Sequence, residues 1–308
     1  MRLLPTLTSA ALTAALVTAP AAHAAHAAHA AHAAPPAPPA ARQVQAPADL
    51  LQGTANFRDL GGYRTFHGFR VESGLVYRAD ALNHTTDADL ETLAGLGVRR
   101  VVDFRTPLEV STDGADRLPA GLASTARPVS DTGMFQELMG AIASKDPARQ
   151  EAVLGGGRGE EIMRRLYRSF VTDPGSRAMF GQTIRDLADR SATPLVFHCT
   201  SGKDRTGWLS YVLLEALGVP HRAAQRDFLL SNDYRRAADA TARERLKAGG
   251  YMQNPDLLVP MQEVRAGYLA ASLDQVRRSY GSLDRYLRYG LGVDPRTQAR
   301  LRHRLLTR

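Results

Sequence analysis

The chain contains one cysteine, Cys199, and Arg205 lies six positions after it. A cysteine thiolate is a nucleophile, and the planar fork of an arginine can bind two phosphate oxygens at once. The pair therefore predicts attack of the Cys199 sulfur on phosphorus, with Arg205 holding the phosphate and stabilising the charge that develops on it. Because Cys-x5-Arg alone is a common spacing, the prediction depends on the residues between and around the two.

The segments on either side of Cys199 predict a strand before it and a helix after it. Residues 195–197 are typical of a short buried strand, and residues 208–214, closed by Gly218, are typical of a helix. In such a loop successive backbone N–H groups point inward, and the helix N-terminus adds positive potential. These backbone dipoles and Arg205 are expected to take the place of a metal, so we expect no metal and no other cofactor.

The remaining loop residues have predicted supporting roles. Gly202 permits close backbone approach or a positive φ, and Lys203 adds a positive charge. Thr206 is expected to place a hydroxyl near the sulfur, and His198 is expected to hold the loop through side-chain hydrogen bonds. The predicted substrate-binding residues are Thr200, Ser201, Gly202, Lys203, Thr206 and Gly207.

Residues 198–207, His-Cys-Thr-Ser-Gly-Lys-Asp-Arg-Thr-Gly, resemble the signature loop of the cysteine-dependent protein tyrosine phosphatase superfamily. More narrowly, the string is similar to that of the bacterial tyrosine phosphatases that include secreted mycobacterial and listerial enzymes. Segments similar to the same family lie at residues 56–63, 77–80, 103–109, 227–232 and 280–283. The resemblance implies an α/β fold of the tyrosine-phosphatase type, with a central, mostly parallel sheet flanked by helices. A predicted helix at residues 86–95, followed by a predicted strand at 98–104, agrees with that fold class.

A two-step reaction is predicted from this chemistry. Cys199 displaces the alcohol or phenol to form a phosphocysteine, which water then hydrolyses. The leaving oxygen needs a proton, and Asp204 inside the loop is the first candidate for the acid. The resemblance implies the same role, because the family carries an aspartate at this position. The alternative is that Asp204 only pairs with a neighbouring arginine or lysine.

Other aspartates remain candidates for the acid. Asp103 ends a predicted strand, where α/β proteins place ligand sites, but a salt bridge to Arg105 or Arg58 is the favoured alternative. Arg58 is a candidate supporting residue of the pocket, for which we expect buried ion pairing. Asp131 and Asp173 lie upstream in predicted loops and stay open as an acid on a mobile loop.

The first part of the chain predicts export. Arg2 precedes an apolar run at residues 3–19 and then small residues, which predicts a signal peptide over residues 1–25. An Ala/His/Pro-rich linker follows at residues 26–48, and residues 49–308 are predicted to form one catalytic domain. We therefore expect a secreted protein, with no stable membrane insertion once the leader is cleaved.

Residues 134–173 match no segment of the family. Helical spacing at residues 134–142 and 160–171, on either side of a Gly-Gly-Gly run at 155–157, predicts two helices with a glycine hinge. Such a pair is a candidate lid over the site, and a surface helical hairpin is the alternative.

Composition and charge limit the classes of function. With 308 residues, 44% of them hydrophobic, the chain can bury a sizeable core, and its formal charge of +8 suits an anionic partner. The leading prediction is a tyrosine phosphatase acting on phosphotyrosine proteins or peptides. The Gly-Lys pair of the loop keeps phosphoinositides open as substrates. A silent phosphate-binding module and a rhodanese-like sulfurtransferase are more remote alternatives, and no nucleic-acid partner is expected because no such motif is present.

Overall fold

The structure is a computed structural model, and it describes residues 50–308. The predicted signal peptide and linker, residues 1–48, lie outside the described residues. The strands are β1 (Arg58–Asp59), β2 (Arg70–Val71), β3 (Val76–Ala79), β4 (Arg100–Asp103), β5 (Ser124–Ala126), β6 (Leu195–His198) and β7 (Leu306–Thr307). The helices are α1 (Asp87–Gly95), α2 (Pro107–Asp113), α3 (Met134–Ser144), α4 (Pro147–Leu154), α5 (Arg158–Thr172), α6 (Pro174–Leu187), α7 (Arg205–Ala216), α8 (His221–Ala248), α9 (Val259–Gln262), α10 (Ala266–Tyr280), α11 (Leu283–Arg285) and α12 (Pro295–Leu305).

The central sheet has five strands in the order β1-β3-β6-β4-β5. Strands β3, β6, β4 and β5 are parallel, and β1 pairs antiparallel with β3 at the edge. The predicted α/β fold with a mostly parallel sheet is therefore confirmed. Because parallel strands end at the same edge, the residues after β3, β6 and β4 lie side by side, with Ala79, His198 and Asp103 in register. A separate pair, β2 with β7, is antiparallel.

Both faces of the sheet are buried. Leu195 and Phe197 of β6 face a core that includes residues of α5, α6 and α7, whereas Val196 faces a second core that includes Leu93 of α1. Alternate residues of a strand point to opposite faces, so an apolar run such as Leu-Val-Phe is typical of a sheet covered on both sides. The central strand β6, which leads directly into Cys199, is thus packed against apolar side chains on both faces of the sheet.

The predicted helix and strand around residues 86–104 form with small shifts in their ends. Helix α1 begins after Thr86, whose side chain accepts a hydrogen bond from the Asp89 backbone while the Asp89 carboxylate accepts one from the Thr86 backbone. This reciprocal capping box satisfies two backbone donors that a helix end would otherwise leave unpaired. Strand β4 is shorter than the predicted strand at residues 98–104.

The predictions for residues 134–173 are wrong in two respects. Three helices form instead of two, because α4 lies between α3 and the glycine run at residues 155–157. Helix α5 is neither part of a lid nor part of a surface hairpin, because it packs against α10 with a buried apolar face. That face consists of Ile162, Met163, Leu166, Tyr167, Phe170 and Val171. Moving α5 away would expose this apolar surface to water, at a cost of about 25 cal/mol per Å².

Among the helices within residues 50–308, none combines the length and the apolar character needed to span a membrane.

Candidate active site

The loop from Cys199 to Asp204 connects the central strand β6 to helix α7, as predicted. Asp204 occupies the N-cap of α7, but its side chain makes no capping hydrogen bond. Helix α2 differs, because Thr106 caps its N-terminus with a capping box. The first backbone N–H groups of α7 therefore lack a side-chain cap. A helix N-terminus in this state is an anion-binding site, because N–H groups and the helix dipole both favour negative charge.

The loop carbonyls are held from outside the loop. The carbonyls of Thr200, Ser201 and Gly202 each accept a hydrogen bond from a residue outside the loop. The donors are Ala81 N to Thr200 at 3.2 Å, Asn56 Nδ2 to Ser201 at 3.1 Å and Arg78 Nη2 to Gly202 at 2.7 Å. In a trans peptide the carbonyl and the following N–H point in opposite directions. The N–H groups of Ser201, Gly202 and Lys203 are therefore directed to the inner side of the loop. These contacts give a physical reason for the predicted anion cradle.

Gly202 meets both of the predicted requirements for a glycine. Its φ is +64°, in the left-handed region, and a Cβ at this position would lie 2.5 Å from the Asp80 nitrogen and collide with the Ala79 carbonyl. A side chain here would push the loop away from the end of β3. Gly207, which was predicted with the substrate-binding residues of the loop, lies inside α7. A Cβ at this position would meet the Phe228 ring at 3.0 Å. Gly207 permits close packing of α7 on α8.

Arg205 is held by a carboxylate that the sequence analysis did not single out. Its Nη1 donates to Glu109 Oε2 at 2.7 Å, and its Nη2 donates to Glu109 Oε1, which also accepts from Thr200 Oγ1 at 2.6 Å. Arg205 Nη1 also donates to the Phe104 carbonyl at 3.2 Å. A bidentate pair of this kind sets the plane of the guanidinium as well as its position.

The Arg205 and Glu109 charges stabilise each other. Burial opposes ionisation of Glu109, but the hydrogen bond and charge of Arg205 lower the pKa of Glu109 to about 2. Burial also opposes the Arg205 charge, but Glu109 and the Cys199 thiolate raise the pKa of Arg205. Glu109 is therefore ionised at any physiological pH. The available sequence signal was the Thr-Pro-x-Glu string at residues 106–109, which predicts a capping box at the start of α2 and gives no indication of the arginine.

Arg58 forms the expected buried ion pair, and its partner is Asp227 of α8. Arg58 Nε lies 3.1 Å from Asp227 Oδ1, and Arg78 Nη1 lies 2.7 Å from Asp227 Oδ2. Arg58 also donates to Asn56 Oδ1, which orients the Asn56 amide toward the loop. Burial opposes ionisation of Asp227, but the two arginines lower its pKa. Arg58, Arg78 and Asp227, here called the β3-side network, thus lie behind the loop and support it through Arg78 and Asn56.

His198 does not hold the loop through its side chain, contrary to the prediction. Its Nε2 donates to Asp116 Oδ2 at 2.9 Å, on the β4 side of the strand. Arg105 Nη2 contacts both Asp116 Oδ1 at 2.8 Å and Asp103 Oδ2 at 2.9 Å. His198, Asp103, Arg105 and Asp116 form the β4-side network. Asp103 forms a salt bridge with Arg105, as the favoured alternative to an acid role predicted.

Asp116 was missed by the sequence analysis because no local pattern marks it. Burial opposes its ionisation, but the hydrogen bond and charge of His198, together with Arg105, lower the pKa of Asp116 to about 2. Arg105 supplies the positive charge between the two carboxylates of this network.

Asp204 is the acid candidate that lies in the loop itself. Lys203 Nζ donates to Asp204 Oδ2 at 2.7 Å, and Tyr167 of α5 donates its hydroxyl proton to Asp204 Oδ1 at 2.8 Å. Burial and the charges of Asp204 and Cys199 raise the pKa of Tyr167 well above its usual value, so the phenol is neutral and acts as a donor. Tyr167 lies in the predicted helix at residues 160–171, and no sequence pattern indicated its contact with the loop.

The other two upstream aspartates accept backbone hydrogen bonds at the starts of helices. Both carboxylate oxygens of Asp131 accept backbone hydrogen bonds at the start of α3, from Gly133 at 3.0 Å and Phe135 at 2.8 Å. Asp173 is the N-cap of α6 and accepts from the Ser176 backbone at 2.6 Å. Carboxylates that accept backbone hydrogen bonds at the start of a helix stabilise that helix.

Thr206 is buried at the first turn of α7. Within the described residues its Oγ1 makes no hydrogen bond, and no hydrogen bond to the Cys199 sulfur forms. The predicted contact between this hydroxyl and the sulfur is therefore not made in this structure.

The sequence model of the tyrosine phosphatase family matches residues 50–307 of the chain. A Cupriavidus necator protein named as a tyrosine-protein phosphatase is 37% identical over 256 residues, which cover 82% of this chain and 88% of that protein. The triple specificity protein phosphatase PtpB of Mycobacterium tuberculosis is 28% identical over 277 residues, covering 83% of this chain and 98% of PtpB. A tyrosine-protein phosphatase of Nostoc commune is 28% identical over 241 residues, covering 76% of this chain and 75% of that protein.

Proposed function

Because the chain belongs to the tyrosine phosphatase family, we propose that it hydrolyses phosphotyrosine in proteins or peptides through a phosphocysteine on Cys199. The observation that carries this proposal is the loop itself: its N–H groups face inward around a lone cysteine, and Arg205 is fixed beside it by Glu109. A nucleophile, an anion cradle and a bidentate arginine are the components that phosphoryl transfer to sulfur requires.

In the first step, the Cys199 thiolate attacks phosphorus and the bond from phosphorus to the phenolic oxygen breaks. The S–P bond forms, and Asp204, in its protonated form, gives its proton to the departing oxygen. The inward N–H groups, the N-terminus of α7 and Arg205 hold the phosphoryl oxygens while charge redistributes over them. In the second step, water attacks phosphorus, Asp204 takes the proton of that water, and the thiolate leaves with inorganic phosphate as product.

The contacts of Asp204 suggest how the acid is kept in place. Tyr167 holds one carboxylate oxygen from the core helix α5, and Lys203 holds the other from the loop.

The burial of Cys199 and Arg205 favours a long phosphorylated side chain. Cys199 is only 2% exposed and Arg205 only 5% exposed, so the thiol lies below the protein surface. The phosphate of phosphotyrosine lies further from the peptide backbone than the phosphate of phosphoserine. Phosphotyrosine can therefore reach a buried thiol that phosphoserine cannot. This difference supports tyrosine over serine specificity.

The test is phosphate release with chelator present, from a phosphotyrosine peptide, the same peptide with phosphoserine, and a phosphoinositide. Wild type and Cys199→Ser are compared. We expect turnover of the phosphotyrosine peptide that falls at least 1,000-fold in Cys199→Ser, because a serine hydroxyl is a far weaker nucleophile at neutral pH. Lipid turnover alone would replace the peptide by a phosphoinositide as the substrate class. No turnover by a folded wild type, or turnover that survives Cys199→Ser, would overturn the proposal.

We also propose that the protein is secreted, with residues 1–25 as a cleaved signal peptide ahead of a linker. The sequence pattern of residues 1–48 supports this proposal. Expression with and without residues 2–25, followed by mass spectrometry of the protein in the culture medium, tests it. Full-length protein that stays inside the cells with its N-terminus intact would contradict it.

A further inference from the structure

The central strand β6 has a neighbour on each side, and each neighbour is followed by a carboxylate that holds an arginine. On the β4 side, Glu109 of α2 holds Arg205, as described above. On the β3 side, Asp80 directly follows the strand, and its Oδ2 lies 3.1 Å from Nη1 of Arg235. Arg235 belongs to α8 and lies outside the loop and outside the segments that resemble the family. The site therefore has an arginine–carboxylate pair on either side of the strand that carries Cys199.

Helix α8 presents Arg235 at a fixed position. Asp227, Ser231, Arg235 and Asp239 are four residues apart, so they lie along one face of the helix. The first two are bound by Arg58 and Arg78 of the β3-side network. The same helix face that supports the loop from behind thus continues past it and carries Arg235.

The guanidinium of Arg235 is held on two sides. Nη1 pairs with Asp80, and Nη2 donates to Asp239 Oδ1 at 2.8 Å, while the side chain is 15% exposed. Its Nε–H is buried and has no acceptor among residues 50–308. A partly buried arginine with this many restraints loses little rotamer entropy when an anion arrives.

Asp80 places this arginine at the edge of the loop. The backbone nitrogen of the next residue, Ala81, donates to the Thr200 carbonyl, and the Asp80 nitrogen is one of the atoms that a Cβ on Gly202 would strike. Burial opposes the Arg235 charge, but Asp80, Asp239 and the Cys199 thiolate raise the pKa of Arg235. The thiolate is therefore within electrostatic reach of Arg235, as it is of Arg205.

We propose that Arg235 is a positioning residue of this site. From the β3 side, its charge stabilises the Cys199 thiolate and attracts the phosphate dianion, while Arg205 grips the phosphate from the β4 side. This role in catalysis rests on the proposed function, but the experiment that tests it does not require phosphatase activity. The anions concerned are phosphate monoesters and inorganic phosphate.

Alkylation of Cys199 tests the proposal without any catalytic turnover. The full chain has one cysteine, so mass spectrometry assigns the label to Cys199 unambiguously. Iodoacetate is an anion and iodoacetamide is its neutral analogue, so the ratio of their rate constants reports the positive potential at the sulfur. A change in exposure of the thiol alters both rates alike and leaves the ratio constant. Protection by inorganic phosphate against iodoacetamide gives the affinity for phosphate in the same assay.

We expect the iodoacetate-to-iodoacetamide ratio to fall about tenfold in Arg235→Met, and the phosphate concentration for half-protection to rise about tenfold. Arg235→Lys keeps the charge and is expected to retain most of both values. The matched control is Arg236→Met, the next residue, whose side chain is 77% exposed and pairs with Asp233. We expect no change in the control.

Arg235→Met leaves Asp80 and Asp239 without their partner, so it is compared with Arg235→Gln, which keeps hydrogen-bond donors but has no charge. Ratios that stay within twofold of wild type in a folded Met or Gln variant would overturn the proposal. A wild type with no phosphatase turnover but the expected ratios would instead refute the proposed function and leave Arg235 as part of an anion-binding site. Where turnover is present, we expect KM to rise about tenfold in Arg235→Met with kcat changed less.

Discussion

The two buried ion networks beside β6 differ in the balance of their charges. The β3-side network has two arginines, Arg58 and Arg78, for one carboxylate, Asp227. The β4-side network has two carboxylates, Asp103 and Asp116, around one arginine, Arg105. One network is therefore positive and the other negative before His198 is counted.

This difference decides which network can support the loop. On the β3 side, donors exceed acceptors, so Arg78 still has a donor for the Gly202 carbonyl and Arg58 has one for Asn56. On the β4 side, the Nε and Nη2 donors of Arg105 go to the two aspartates, and His198 donates to Asp116 instead of to the loop. Surplus donors behind the loop turn its carbonyls outward, which directs its N–H groups toward the inner side of the loop.

The largest expected effect comes from removing the one carboxylate of the β3-side network. Asp227→Asn leaves two buried arginines with no counter-charge, so we expect a loss of about 3–5 kcal/mol in the free energy of unfolding. Urea denaturation measures it. Asp233→Asn on the same helix removes an exposed carboxylate, and there we expect a change below about 0.5 kcal/mol. Equal stabilities of the two variants would show that the β3-side network is not structural.

The next effect concerns the carboxylate that holds Arg205. Glu109→Gln keeps the shape of the side chain but removes the charge and one of the two acceptor oxygens that hold Arg205. We expect kcat/KM for a phosphotyrosine peptide to fall about 100-fold, or about 2.7 kcal/mol, because the arginine is no longer held in one plane. The exposed Glu91 of α1 provides the control, as Glu91→Gln. A folded Glu109→Gln enzyme with unchanged kinetics would show that Arg205 orients itself without this carboxylate.

Acid sensitivity is expected in the β4-side network. Asp116 has a pKa of about 2 in the folded chain against an ordinary value of 3.8. Its contribution to stability is therefore present above about pH 4, and it is lost as the pH falls toward about 2. We expect that contribution to be about 2 kcal/mol and to be missing in Asp116→Asn.

Urea melts of wild type and Asp116→Asn at pH 7, 4 and 2.5 measure this difference. We expect the two proteins to differ most at pH 7 and to converge at low pH. A gap that stays constant over this range would show that the ionised Asp116 carboxylate is not what stabilises the β4 side.

The smallest expected effect is on a single loop contact. Asn56→Ala removes the donor to the Ser201 carbonyl, which is worth about 1 kcal/mol. We expect the unfolding free energy to fall by about 1 kcal/mol. We also expect the KM for a phosphotyrosine peptide to rise about fivefold, because one inward N–H group is less well directed. A drop in stability with unchanged KM would place Asn56 in the folding of the β3 side only.

Residue order alone predicted the parts of the site that lie close together in the chain. Strand β6, the loop, helix α7 and the need for glycine at Gly202 all lie within about 20 consecutive residues. Periodicity, a helix N-terminus and a positive φ are local properties of the backbone, so a single segment is enough to predict them. The α/β fold followed from the same kind of pattern, together with the family resemblance.

The partners of the charged residues came only from the tertiary structure. Arg58 and Asp227 are 169 positions apart, and Arg205 and Glu109 are 96 apart. No local pattern links such residues, because strand order and helix packing bring them together. The same limit explains the error at α5: helical spacing identifies an apolar face, but not whether that face covers the active site or packs into the core. Sequence determined which groups are available for the proposed chemistry, and packing around β6 decided which carboxylate holds each arginine, because ion pairing depends on distance in space and not on distance along the chain.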